Sequence, residues 1–274
     1  MPRIKVNDIT MNYDQQGSGE PLILIPYLAA DSACYAFQVA EYAKHFTCIS
    51  VDPRGAGETD KPEGSYSMEL FADDISGFMS ALGVERAHVS GLSLGAAVGV
   101  WLAAKYPEKV KSLSLHSGWT KTDSFMKTVV ESWQVLARAL GSVPEMIIKG
   151  IFPWCFTPEF YVGNSEHMQS LAGFVRSRPE QPVDAFIRQS EAVLAHDAES
   201  VLSDINTPTQ ITIGEVDMIS ARFAAPLKEN IQGSELIVFE ACSHAPIYEK
   251  TQQFNERTLE FLQRQSGRAQ KAQT

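Results

Sequence analysis

The 274-residue chain has no apolar run long enough to cross a membrane, no closely spaced cysteines and little positive charge. Its two most apolar stretches, 21–30 and 96–104, fall well short of the roughly 20 residues that a spanning helix needs. The opening Met-Pro-Arg-Ile-Lys-Val-Asn-Asp carries charges and turn formers where a secretory signal has an apolar stretch of about 7 residues or more. The expected location is therefore the cytoplasm. Cys34, Cys48, Cys155 and Cys242 stand far apart with no Cys-x-x-Cys pair. That spacing offers neither a zinc site nor a disulfide framework, and leaves reduced thiols that fill the core as small hydrophobes. Lys and Arg number 23 against 33 Asp and Glu, a formal net charge of −10. A surface of that sign repels phosphate backbones and anionic lipid, so neither nucleic acid nor membrane is an expected partner.

What is present is a regular alternation of β-rich and amphipathic segments. Residues 22–25, 46–51, 87–90 and 110–116 read as buried strands, and residues 4–6 and 11–13 as a hairpin turning at Asn7-Asp8. In 68–82, Leu70, Phe71, Asp74, Ile75, Phe78, Met79 and Leu82 recur at helical spacing, the pattern of a helix lying on a sheet. A small-residue helix is expected over 96–105. Strands separated by helices run parallel. From Trp119 to His196 the strand signal stops and helical periodicity takes over, broken at Pro144, Pro153, Pro158, Pro179 and Pro182. Strands resume at 209–213 and 235–239, with a helix between them and another over 249–263. The expected organisation is a core in two parts, 1–118 and 198–264, interrupted by a helical insertion at 119–197 and followed by a frayed polar tail at 265–274.

Gly91-Leu92-Ser93-Leu94-Gly95 sits between the strand ending at Ser90 and the small-residue helix. A serine in Gly-x-Ser-x-Gly, in that strand-turn-helix context, is held on a turn too tight for side chains two residues away, which pushes its hydroxyl outward. Two later residues complete a constellation: Asp217 just beyond one late strand, and His244 beyond the next. A serine hydroxyl is a poor nucleophile until a neutral imidazole takes its proton and a carboxylate fixes the tautomer, so the three residue types belong together. Taken singly, Asp217 could be a turn former and His244 a core histidine, and Asp123 or Asp197 could supply the acid instead.

With these motifs in order, the chain resembles the α/β-hydrolase superfamily from Ile4 to about Arg264, in its serine carboxylesterase and lactonase-like branch with a helical cap. Asp52-Pro53-Arg54-Gly55-Ala56-Gly57-Glu58-Thr59 is similar to the family's Asp-x-Arg-Gly-x-Gly-x-Ser loop, with Thr59 at the serine position and Asp52 as a structural loop cap. The resemblance implies an α/β fold: a mostly parallel sheet flanked by helices, with the insertion as a cap over its carboxyl edge. It also implies catalysis by Ser93, His244 and Asp217, with an oxyanion hole formed by the N–H groups of Leu28 and Leu94, each contributing about 3 kcal/mol. Many relatives carry His-Gly where this chain has Pro26-Tyr27. Tyr27 could position substrate through its hydroxyl, but the preferred reading is a ring that walls the site.

Serine rather than aspartate at position 93 points to acyl transfer, hence to carboxylic esters and to lactones such as N-acyl-homoserine lactones. No cofactor and no metal is expected. The insertion is rich in aromatics, Trp119, Phe125, Trp133, Phe152, Trp154, Phe156, Phe160, Tyr161 and Phe174, most of them read as the cap's own core. Trp119 and Trp154 are the candidates to line a pocket for an apolar acyl or aryl group. Alternative functions are a slow-turnover ligand receptor on the same scaffold, a cofactor-free haloperoxidase and an acyltransferase. Oligomeric state is not legible in the sequence.

Overall fold

The structure is a computed structural model that describes residues 2–272, with side chains as far as Gly267. Eight strands form one sheet in the order β1-β2-β4-β3-β5-β6-β7-β8. They are β1 (Arg3–Val6), β2 (Ile9–Gln16), β3 (Glu20–Ile25), β4 (Phe46–Val51), β5 (Ala87–Leu92), β6 (Val110–His116), β7 (Thr209–Gly214) and β8 (Glu235–Phe239). β1 and β2 form the expected hairpin and β2 pairs antiparallel with β4, whereas every other pairing is parallel.

Strand side chains alternate between two cores because successive residues point to opposite faces. Ile23 and Ile25 of β3 pack on one side with Phe71, Ile75 and Phe78 of the Met68–Ala81 helix. Leu22 and Leu24 pack on the other with Tyr35, Tyr42 and Phe254. A buried polar ladder crosses the adjacent strands β5, β6 and β7. His116 Nε2 lies 3.0 Å from Ser90 Oγ, and its Nδ1 lies 2.7 Å from Thr212 Oγ1. Burial lowers the pKa of this histidine to about 3, so the ladder is made by a neutral ring.

The insertion is mostly helical, with its main helices at Ser124–Leu140, Ser165–Ser177 and Val183–Leu194. Its two ends meet in a β-bridge between Lys121 and Asp197. Pro144, Pro153 and Pro158 sit in the first turns of short helices, where the missing N–H has no intrahelical acceptor to lose, so they start segments as well as ending them. Between two of these segments, Ile147–Ile151 is a π-helix.

The frayed tail expected from Gln265 onward is instead helix as far as Ala272, the end of a helix beginning at Thr251, and the Gln265 side chain is buried. Gln273 and Thr274 lie outside the described residues. All four cysteines are free thiols. Among the described residues no helix is long and apolar enough to cross a membrane.

Candidate active site

The loops at the carboxyl ends of β5, β7 and β8 bring three side chains together. β5 ends at Leu92 and the next helix begins at Leu94, with Ser93 held between them at φ 54°, ψ −116°. Steric overlap makes this region costly for any residue with a Cβ, about 1–3 kcal/mol. The turn closes only because of the glycines around it. A Cβ on Gly91 would lie 2.1 Å from the Gly95 carbonyl oxygen, and one on Gly95 2.0 Å from that of Ile25. The Ser93 N–H donates to the His116 carbonyl at 2.8 Å, fixing the turn to β6.

Ser93 Oγ lies 3.0 Å from His244 Nε2, and His244 Nδ1 lies 2.8 Å from Asp217 Oδ2. Asp217 also accepts from the N–H of Ile219 at 2.8 Å, the N–H of Ser220 at 3.0 Å and the Ser220 hydroxyl. Burial works to raise the Asp217 carboxyl, but the facing His244 and the donors of Ser220 outweigh it and hold the group below the ordinary carboxylate value. An ionised carboxylate at Nδ1 retains the imidazole proton there and leaves the Nε2 lone pair facing the serine hydroxyl. The alternative acids are elsewhere: Asp123 caps the Ser124–Leu140 helix and pairs with Arg222, and Asp197 accepts from the Glu199 N–H.

The His244 loop is tied to both sheet and cap. Ser117 Oγ donates to the His244 carbonyl at 2.9 Å, and the Ala245 N–H donates to the Cys155 carbonyl at 3.0 Å. One Glu249 oxygen accepts the Ser243 N–H at 2.6 Å, while the other accepts the N–H and hydroxyl of Thr157 at 2.6 and 2.9 Å. Ser117, Ser220 and Glu249 escaped the sequence reading. Glu249 alone left a trace there, as a carboxylate five residues past His244.

Leu94 opens its helix, where the first N–H groups have no intrahelical acceptor and point outward. Leu28 follows β3 and shares a cavity wall with Ser93. Ala29 turns the chain after it at φ 62°, its N–H donating to Gln189 of the cap at 3.3 Å. The Asp52–Thr59 loop is scaffolding. Asp52 accepts from the Ser32 and Glu58 N–H groups and from Asn12, and the buried Arg54 guanidinium is held by Asp74 and Asp8.

Ser93 and His244 open on a narrow apolar cavity between sheet and cap. Its sheet-side wall is Tyr27, Leu28, Leu92 and Tyr248; its cap-side wall is Trp133, Ile147, Ile151, Phe152, Cys155 and Phe156. The π-helix contributes both of its terminal isoleucines to this surface. The two tryptophans singled out from the sequence are not there. Trp119 is 1% exposed, its indole N–H on Thr122 and its ring edge-on to His196, because it lies at the buried base of the cap. Trp154 lies on the far side of the Phe152–Cys155 helix, 6.1 Å from Phe125 and beside Pro153, and reaches the site only through its carbonyl, which accepts from Ser243 Oγ. Trp133 takes the wall position, its indole N–H on the Gly150 carbonyl. Tyr27 does line the cavity, and its hydroxyl sits 3.0 Å from that of Tyr248.

Residues 19–251 match the family model of the alpha/beta hydrolase fold. The chain belongs to the α/β-hydrolase family. This α/β-hydrolase is 26% identical to a putative carbamate hydrolase RutD of Azorhizobium caulinodans, covering 95% of this chain and 98% of that one. It is 30% identical to a 2-(acetamidomethylene)succinate hydrolase of Mesorhizobium japonicum over 74% of this chain and 70% of that one. Among solved structures, the enol-lactonase of Burkholderia xenovorans LB400 superposes with a TM-score of 0.86 at 24% identity, covering 96% of this chain and all of the other. That likeness is one of fold. With 96% of this chain covered, it extends through the inserted helices as well as the sheet.

Proposed function

We propose that the protein hydrolyses small carboxylic esters and lactones through an acyl-enzyme on Ser93, with His244 as general base and then general acid, and Asp217 as the group that orients and stabilises the imidazolium. The observation that carries this reading is the unbroken chain from Asp217 through His244 to Ser93, opening on an apolar cavity. Attack of Oγ on the ester carbonyl gives a tetrahedral oxyanion, received by the N–H groups of Leu28 and Leu94. His244 passes the serine proton to the departing alkoxide, and water then repeats the sequence on the acyl-enzyme. In a lactone the alkoxide stays attached to the acyl group, so the same steps open the ring. The apolar lining of the cavity favours an acyl chain or aryl group beside the reacting carbonyl, and N-acyl-homoserine lactones are one such class. The division into a core of 1–118 and 198–264 with a cap of 119–197 belongs to the same proposal.

The test is hydrolysis of a p-nitrophenyl ester series and an N-acyl-homoserine lactone series by purified protein, with Ser93→Ala beside it. Turnover in the ordinary enzyme range, reduced below about 1% in the variant, is the expected result. Wild-type turnover slower than about one per minute would favour a ligand receptor instead.

A further inference from the structure

Apart from Ser93 and His244, and from Trp133, whose indole N–H is already bonded to the Gly150 carbonyl, the hydroxyl-bearing side chains on the cavity wall are concentrated at one point, the phenol pair Tyr27 and Tyr248. Their oxygens are 3.0 Å apart, and Tyr248 Oη lies 3.3 Å from the Cys34 carbonyl. Phenylalanine at both positions would fill the same wall, and each buried hydroxyl costs desolvation energy unless it is bonded. The pair also stands at a junction. Tyr27 lines a second cavity with Asp31, Arg178 and Gln181, and Tyr248 lines a third with His167 and Phe174.

Counting protons shows what the pair can offer. Two O–H groups share three links: the bond between them, the bond to Cys34 and any bond to an occupant. When Tyr248 donates to Cys34, Tyr27 donates to Tyr248 and keeps its lone pairs for a donor in the cavity. When Tyr248 instead donates to Tyr27, the Tyr27 proton is released for an acceptor in the cavity, and only the long bond to Cys34 is lost. Burial holds both phenols above their ordinary pKa, so the pair stays neutral and keeps both protons.

Building on the hydrolase reading, we infer that the Tyr27–Tyr248 pair determines specificity by binding a second oxygen of the substrate, a keto or hydroxyl group on the acyl part of an ester or lactone. The apolar remainder of the acyl chain lies against Ile147, Ile151 and Phe152, and the second oxygen turns toward Tyr27. A site that bonds such an oxygen disfavours the analogue lacking it, because the hydroxyls are then left facing hydrocarbon.

The experiment measures kcat/KM for p-nitrophenyl hexanoate and for its 4-oxo, 5-oxo and 3-hydroxy derivatives, each divided by its spontaneous hydrolysis rate. In the wild type, at least one oxygenated ester should exceed hexanoate by about 10-fold. In Tyr27→Phe that ratio should collapse toward one. In Tyr248→Phe it should weaken but persist, since Tyr27 keeps its proton, and this variant carries the test if Tyr27→Phe does not fold. Equal ratios in the wild type, or a preference that survives Tyr27→Phe, would overturn the inference. Turnover of plain and oxygenated esters alike sinks this inference alone, whereas turnover of none sinks the hydrolase reading and this inference with it.

Discussion

The two walls of the cavity are built by opposite means. Five non-glycine residues have positive φ among the described residues, and four of them, Ala29, Ser93, Ser117 and Ala241, lie on loops at the carboxyl ends of β3, β5, β6 and β8. The cap insertion contributes none; its one left-handed residue, Gly141, is a glycine ending a helix. Backbone held in costly conformations persists only where surrounding bonds over-determine it. The sheet side supplies them: the Ser93 N–H on His116, the Ser117 hydroxyl on the His244 carbonyl and three donors on Asp217. The cap side is helices with no non-glycine residue at positive φ, apolar toward the cavity, joined to the His244 loop through the Glu249 carboxylate and the carbonyls of Trp154 and Cys155. Strain and hydrogen bonds accumulate where reacting atoms need fixed positions. Apolar packing suffices where a substrate needs only a shape.

The sharpest way to break this contrast is at Asp217. Asp217→Asn keeps the shape of the side chain but places an amide where His244 Nδ1–H needs an acceptor, favouring the wrong tautomer. Turnover of a p-nitrophenyl ester should fall about 10⁴-fold, with the melting temperature little changed. A loss of less than about tenfold would mean that the imidazole is oriented by something other than this carboxylate, Ser220 being the other group facing Nδ1, at 3.4 Å.

The cap side should respond differently. Ile151→Ala removes apolar volume from the end of the π-helix without touching the hydrogen-bonded loops. The ratio of kcat/KM for decanoate over butanoate esters should rise about 10-fold, since a methylene gained or lost in an apolar pocket is worth about 1–3 kcal/mol. An equal loss on every chain length would show that this wall serves the chemistry, not the choice of substrate.

The same contrast explains what the sequence disclosed. Strands, the hairpin and the Met68–Ala81 helix were legible because their periodicities report which face is buried, and Ser93, Asp217 and His244 were legible because each follows a strand within a few residues. The pocket wall was not. Whether Trp133 or Trp154 faces Ser93 depends on the phase of helices interrupted by three prolines and a π-helix, and no local pattern around either residue records that phase. Trp119 misled for a related reason. A residue just past a strand end can turn toward the site or into the base of the cap, and here its partner is the buried His196, 77 positions further along the chain. Tyr248 and Glu249 belong to a short helix after Pro246, where neither strand nor helix periodicity has room to show.

The smallest effect isolates the strain itself. Ser93→Ala removes the hydroxyl but keeps the Cβ that makes φ 54°, ψ −116° costly, whereas Ser93→Gly removes both. Each variant should lose hydrolysis, so activity does not separate them, but stability should. Of the roughly 1–3 kcal/mol stored at such a residue, part is offset by the greater freedom of glycine in the unfolded chain. Ser93→Gly should therefore be more stable than Ser93→Ala by about 1 kcal/mol, read as a higher urea midpoint at unchanged slope. Equal midpoints would mean that the turn at Ser93 is no more strained than the cap helices, and that the two walls differ in their polar contacts alone.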